Sequence, residues 1–329
     1  MLNQFGSADN FELADLPIPS IQKGEVRIRI KAASFNPVDY QIRKGSPESS
    51  RLTSNILGRD LSGIIDQVDE TVSDLKVGDE VFSYVCDLAS NGTYAEYCNV
   101  PVELVAKKPL ALTFEEAACV PVAGITAMLA LHKSNAGKSK SIFVAGGAGG
   151  VGTFVLLLAE KFGYKTIVTT AGNENSAAYL TKNFSSSVNQ INYRDSRFID
   201  KAIEINNGHF DIAIDLVGGP MLSACCRLLG IDGNLASAVE VPNNDDFEFL
   251  FSKNASFHSI GANAYSLSKD RRRWLTYRTI LNDLSGGFDD GILKKPPVTT
   301  IGTLTVQTVR QAHDLLENRS IQGKLVMTC

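Results

Sequence analysis

The chain has 329 residues, 44% of them hydrophobic, and 32 basic against 36 acidic side chains give a net charge of −4. That length exceeds what one compact domain usually needs, so two domains are expected. The charge balance leaves no electrostatic footprint for nucleic acid, no apolar run reaches the ~20 residues of a membrane span, and no basic-then-apolar leader opens the chain, so a cytoplasmic protein is expected.

Up to about Pro109 the pattern is β-rich. Glu25–Lys31 alternates apolar and charged residues, as a half-buried strand does. Val77–Phe82 and Thr93–Val100 follow the same rule, and glycines and prolines punctuate the stretch. An all-β, barrel-like domain is expected there. Thr113 followed by Glu116 has the form of a capping box and predicts a helix start. A second helix is expected after Gly124.

From there strand and helix patterns alternate. Strands are predicted at Ile142–Ala145, Lys165–Thr169, Val188–Ile191, Asp211–Asp215, Leu235–Ala238 and Phe257–Ile260. Such alternation requires a parallel sheet with right-handed crossovers, a doubly wound α/β domain. After Gly261 the pattern turns irregular, until a helix at Val309–Leu316 and a last strand at Gly323–Met327. This tail is expected to return to the first domain.

One stretch carries chemistry. Gly147-Ala-Gly149-Gly150-Val151-Gly152 fits G-x-G-x-x-G, with an apolar strand before it and a helix, Thr153–Phe162, running to a stop at Gly163. Missing side chains let backbone N–H groups approach a pyrophosphate at the positive end of a helix. The five residues Gly147, Gly149, Gly150, Val151 and Gly152 are the expected contacts. Close packing alone is the competing reading. Val217 and Gly218 follow the fourth strand at its carboxyl end, where ligands bind in such sheets, or form only a tight turn. A carboxylate at the end of the second strand would select NAD over NADP. Thr169, Thr170 and Ala171 stand there instead, so NADPH is expected over NADH. Glu174 is the counter-signal, and strand formation alone is the other reading of Thr169 and Thr170.

Six scattered cysteines (Cys86, Cys98, Cys119, Cys225, Cys226, Cys329) form no C-x-x-C pair and read as reduced core thiols. His132, His209, His258 and His313 lie far apart without ligand spacing, so no metal site is expected.

Many short motifs occur in order: Asn36-Pro-Val-Asp39 with Arg43 and Gly45; Gly58-Arg-Asp60 and Gly63; Val77-Gly-Asp79; Gly92-Thr-Tyr-Ala-Glu96; Pro121-x-x-Gly124-x-Thr126-Ala127; the glycine fingerprint; Ile191-Asn-Tyr193; Asp215-Leu-Val-Gly-Gly219; Gly323-Lys324. Together they resemble the zinc-independent quinone oxidoreductase branch of the medium-chain dehydrogenase/reductase superfamily over nearly the whole chain. The resemblance implies a discontinuous GroES-like catalytic domain, residues 1–120 and 262–329, and a Rossmann cofactor domain, residues 121–261. It also implies a homodimer. Zinc-dependent members place a cysteine and a histidine where this chain has Asn36 and Arg59, so catalysis without metal is implied.

The same resemblance puts Thr126 near the nicotinamide, Tyr193 beside the adenosine phosphate and Lys324 near the cleft; a solvated strand lysine is the alternative for Lys324. The lysine that meets the 2′-phosphate in relatives falls near Ser176 here. Asn36 resembles the polar residue beside the nicotinamide and substrate carbonyl, where its amide would donate to the developing oxyanion. Tyr40, four residues on, is the candidate proton donor, with barrel packing as the other reading. Asp39 and Asp60 are expected as structural partners of Arg43, Arg59 or turn amides. The function implied is NADPH-dependent hydride transfer to a small quinone or α,β-unsaturated carbonyl. The alternatives are an enoyl-thioester reductase, with Arg271–Arg273 holding CoA phosphates, and a non-enzymatic NADPH-binding protein.

Overall fold

The computed structural model describes every residue except Ala136, Lys138 and Ser139. Its contacts divide into two compact units, Met1–Ile125 with Asn263–Cys329, and Thr126–Ala262.

The first unit opens with β1 (Glu25–Phe35), α1 (Pro37–Arg43), β2 (Asp60–Val68), β3 (Glu80–Tyr84), β4 (Tyr97–Pro101), β5 (Val105–Lys107) and α2 (Phe114–Ala118). In β1 the alternation does what it predicts: Val26, Ile28 and Ile30 are buried and Arg29 is exposed. From Ala32 to Phe35 the strand is buried on both faces: Ala32 packs against Ala118 and Cys119 at the end of α2, and the Phe35 ring against Tyr94 and His313. Thr113 caps α2 as expected: its hydroxyl accepts the Glu116 amide at 3.2 Å, and Glu116 accepts the Thr113 amide at 2.9 Å.

Next comes α3 (Pro121–Lys133). It begins three residues before Gly124 instead of after it, since proline is accommodated in a first helical turn. The second unit follows with β6 (Ser141–Ala145), α4 (Gly150–Phe162), β7 (Thr166–Ala171), α5 (Glu174–Asn183), β8 (Val188–Asn192), α6 (Phe198–Asn206), β9 (Phe210–Asp215), α7 (Pro220–Leu228), β10 (Leu229–Ser237), α8 (Asn244–Ser252) and β11 (Ser256–Ser259). All six strands pair in parallel, in the order β11-β10-β9-β6-β7-β8. This is the doubly wound order, and its direction reverses at β6, between β7 and β9. Ligands bind outside the strand ends at such a point. Helix α4 starts at Gly150, three residues earlier than the apolar pattern suggests, and stops at Gly163 in the left-handed conformation, φ 69°. Phe143, Val168, Phe210 and Leu235 centre the core of this unit, against Leu222, Cys225 and Leu228 of α7.

The chain returns to the first unit through α9 (Arg271–Asp289), β12 (Val298–Thr303), α10 (Val306–Glu317) and β13 (Lys324–Thr328). The stretch expected to be irregular holds α9, at 19 residues the longest described helix. Val77–Gly78–Asp79 is a turn leading into β3, and β4 begins only at Tyr97. The first unit's sheet runs β12-β13-β1-β2-β3-β5, with β4 also paired to β1. No described helix is long and apolar enough to cross a membrane.

Candidate functional site

Strand β6 is buried throughout and ends at the glycine turn. The Gly149 amide bonds back to Gly146 O at 3.0 Å, and the first helical bond is Thr153 N to Gly149 O at 2.8 Å. The amides of Gly150, Val151 and Gly152 therefore meet no acceptor among the described residues. They are the unpaired donors of a helix start, at the positive end of its dipole. Sterics explain the glycines. A Cβ on Gly147 would lie 2.0 Å from Thr169 Oγ1, and one on Gly152 2.2 Å from Gly146 O. Gly149 is less confined, with Gly146 O at 3.3 Å. Thr170 Oγ1 accepts the Gly146 amide at 2.9 Å, so this hydroxyl braces the turn.

The turn after β9 lies beside it, with Val217 Cγ2 3.0 Å from where a Gly146 Cβ would stand. The amides of Val217 and Gly218 do not point outward; both donate to Asp215 Oδ1, at 3.1 and 3.0 Å. Ser237 Oγ donates to the other oxygen of this buried carboxylate at 2.9 Å. What the turn presents is the half-exposed Val217 side chain. Past β7, the Ser176 hydroxyl accepts the amides of Gly172 and Asn173 at 3.1 and 3.2 Å, and is thereby committed to capping α5. The Tyr193 ring, 41% exposed, covers Gly172, where a Cβ would come within 2.4 Å of it. Thr126 is buried in α3.

The first unit holds a dense polar cluster. Asp60 is fully buried. Its Oδ2 accepts from Ser34 Oγ at 2.9 Å, Asn36 Nδ2 at 2.8 Å and Lys324 Nζ at 3.1 Å, and its Oδ1 accepts the Val122 amide at 2.8 Å. Lys324 also donates to Asn36 Oδ1 at 2.6 Å and Phe35 O at 3.1 Å. Lys324 is thus neither solvated nor loose. The Asn36 amide is already engaged at both ends, leaving one N–H of Nδ2 for anything else. Tyr40, on α1, is half-buried, and its hydroxyl has no partner among the described residues.

Asp39 is 1% exposed. Its Oδ2 accepts the Asn36 amide at 2.8 Å and the Tyr94 hydroxyl at 3.2 Å, while Oδ1 has no partner. Burial pushes its carboxyl up to about 7. Behind Tyr94 stands His313 Nε2, 3.2 Å from the phenol oxygen. Burial, then the Arg43 charge, hold this imidazole down at about 3, so it stays neutral. Nothing in the local sequence marks His313 or Tyr94 as neighbours of Asp39. Of the arginines expected beside the two aspartates, Arg43 pairs with Glu317, and Arg59 pairs with Asp87 at 2.7 Å while its charge also acts on Asp39. In place of a turn amide, Asp39 accepts the Asn36 amide at the start of α1, and Asp60 the Val122 amide in the first turn of α3. Arg271 and Arg272, in the first turn of α9, pair with Glu103 at 2.7 Å and Asp270 at 2.8 Å. That leaves Arg273 as the uncommitted charge of the basic run among the described residues.

A zinc ion does not fit the positions where zinc-dependent relatives hold one. An amide engaged with Asp60 and Lys324 and a guanidinium engaged with Asp87 offer no thiolate or imidazole. Among the described residues no three His, Cys, Asp or Glu side chains gather as a metal site. All six cysteines are free thiols, five of them buried.

Comparison with known proteins bears on the family. Residues 22–110 match the alcohol dehydrogenase GroES-like domain, and residues 188–327 the family described as zinc-binding dehydrogenase. A 2-methylene-furan-3-one reductase of Solanum lycopersicum is 35% identical over 222 residues, 65% of this chain and 55% of that protein. The quinone oxidoreductase of Sus scrofa is 28% identical, over 98% of this chain and 95% of its own. The solved quinone oxidoreductase of Coxiella burnetii superposes with a TM-score of 0.82 at 28% identity, covering 100% of this chain and 98% of its own.

Proposed function

The chain belongs to the medium-chain dehydrogenase/reductase superfamily, and from that premise we propose that it is an NADPH-dependent reductase of quinones or α,β-unsaturated carbonyls. The observation that carries the reading is the start of α4, where three neighbouring amides lack acceptors inside a cradle that a Cβ would fill. A dinucleotide pyrophosphate is the group those donors fit. Gly147, Gly149, Gly150, Val151 and Gly152 form the cradle, Thr170 braces it, and Val217 and Gly218 flank it. Tyr193 covers the adenosine end and Thr126 lies by the nicotinamide. The lack of a carboxylate at Thr169-Thr170-Ala171 favours the phosphorylated dinucleotide, without a lysine to grip its 2′-phosphate. Bound there, the reduced nicotinamide supplies a hydride.

In the first unit, Lys324 and Asp60 lock Asn36 in one orientation, with its remaining N–H as the donor to a substrate oxygen. Tyr40 stands four residues on with an unpartnered hydroxyl. The names of the reductase and quinone oxidoreductase relatives support this substrate class. Thioester reduction loses its support, since two of the three arginines meant for CoA phosphates are paired with carboxylates. The family resemblance supports a homodimer, which light scattering tests.

The test follows NADPH and NADH oxidation at the nicotinamide absorbance with 1,4-benzoquinone, a small enone and an enoyl-CoA. Turnover of the quinone or enone with NADPH is expected. Turnover of the CoA ester alone, or of nothing, overturns the reading.

A further inference from the structure

Within the first unit a cavity of about 20 Å³ is lined by Asp39, Arg59, Cys86, Asp87 and Asn91. That is room for one water and not for a substrate. Its polar lining is unfinished. Among the described residues Asp39 Oδ1 and Asp87 Oδ2 are buried without a partner, while Asp87 Oδ1 faces the Arg59 guanidinium. Arg59 Nη1 forms an ion pair with Asp87 Oδ1 at 2.7 Å, and a guanidinium carries further N–H groups for a second acceptor. Buried polar atoms are almost always satisfied, so two orphaned acceptors around a water-sized space call for a bound donor.

Resting on the reductase reading above, we propose that Asp39 supplies the proton that completes reduction, through one water in this cavity, and that Arg59 receives the substrate oxygen at the cavity's mouth. Once hydride has been added to the enone β-carbon or the quinone, the substrate oxygen carries the negative charge. Arg59 N–H groups donate to it. One water O–H bond breaks as an O–H bond to the substrate oxygen forms, and the Asp39 carboxyl O–H bond breaks to restore the water. The neutral enol or hydroquinone leaves, and the Asp39 carboxylate regains its proton from solvent.

The surroundings suit the task. Burial, the largest influence, keeps this carboxyl protonated up to about 7, while Arg59 and Lys324 oppose that and Asp60 adds to it. A donor poised near the working pH is the efficient one. Tyr94 and Cys86 are poor alternatives: burial pushes the phenol well above its ordinary range and the thiol up to about 11. His313, behind Tyr94, is neutral and holds no proton to give to this chain of groups at pH 7 beyond its own N–H. With Arg59 facing Asp87, and Asp39 close by, the cavity carries no net positive charge. It therefore favours a neutral carbonyl oxygen over a carboxylate.

Asp39→Asn keeps an acceptor for the Asn36 amide and the Tyr94 hydroxyl but has no proton to give. With 1,4-benzoquinone, kcat is expected to fall ~100-fold or more with KM little changed. The wild-type decline in kcat above pH about 7 is expected to vanish with it. Arg59→Gln is expected to raise KM roughly tenfold and Arg59→Lys to recover part of it. A readout independent of turnover is the carbon-13 resonance of labelled aspartate carboxyls in the cofactor-free protein. One carboxyl should titrate near pH 7, be absent in Asp39→Asn, and move upward in Arg59→Gln, where the cation that favours ionisation is gone. That last shift also decides the matter if Asp39→Asn does not fold. An Asp39 carboxyl titrating near 4, or an Asp39→Asn enzyme with unchanged kcat and pH limb, overturns the proposal and leaves the reductase reading standing. A wild type inert toward quinone and enone overturns both.

Discussion

At the start of α4 the amides of Gly150, Val151 and Gly152 meet no acceptor among the described residues, whereas around Asp60 the donors of Ser34, Asn36, Lys324 and Val122 converge on one carboxylate. The first region works by what it lacks: side chains that would fill the cradle, and carbonyls that would quench the amides. The second works by saturation. A carboxylate and an ammonium held out of water are tolerated only because nearly every lone pair and proton has a partner. The first should therefore fail when an atom is added, and the second when one is taken away.

The largest effect should come from Lys324→Met, which leaves the Asp60 carboxylate buried without its cation. A loss of ~3–5 kcal/mol is expected. It can be read from urea unfolding followed by the fluorescence of Trp274, the single tryptophan, which sits on α9 in this same unit. Adding Asp60→Asn should return part of the loss, and an unchanged midpoint in the single variant would contradict the saturation argument. In the glycine cradle, Gly152→Ala pushes a methyl to 2.2 Å from a backbone oxygen. Titration by NADPH fluorescence should show affinity down ~100-fold, about 3 kcal/mol.

Asp39 and His313 sharpen the contrast through pH. The Asp39 carboxyl is raised from 3.8 to about 7, so its contribution is complete below pH 3.8 and is lost as pH rises toward 7. The His313 imidazole is lowered from 6.5 to about 3, so its contribution is complete above 6.5 and is lost as pH falls toward 3. Between about pH 4 and 6.5 the two slopes oppose. Asp39→Asn should leave stability rising with pH across that window, by up to ~1.4 kcal/mol per unit. His313→Gln should leave it falling. Thermal melts at half-unit intervals distinguish the signs, and equal slopes in both variants would remove the pair from the account. The smallest effect is expected from Thr170→Val, which strands the Gly146 amide for ~1 kcal/mol of stability and a few-fold loss of nucleotide affinity.

The glycine turn before α4 was legible in the sequence. Its glycines, the strand before and the stop at Gly163 are all consequences of local sterics. Helix α9 was not. Tyr277, Leu281, Leu284 and Phe288 are spaced as one helical face and are buried, but Gly286-Gly287 between them reads as a break. Packing supplies the reason for one of these glycines, since a Cβ on Gly287 would press on Leu293 at 2.9 Å. Nor did chain proximity pair the charges correctly. Arg43 finds Glu317, nearly at the other end of the chain, and Asp39 meets Tyr94 and His313.

The sequence by itself determined the alternation of strands and helices in the doubly wound unit and the glycine turn at the start of α4, because periodicity, capping and the absence of a Cβ act over a few residues. Only the tertiary structure decided where Lys324, the Val217 and Gly218 amides, and the unpaired oxygens of Asp39 and Asp87 would point. A buried charge must be matched by whatever group packing brings to it, and that group is chosen by the fold of the whole unit.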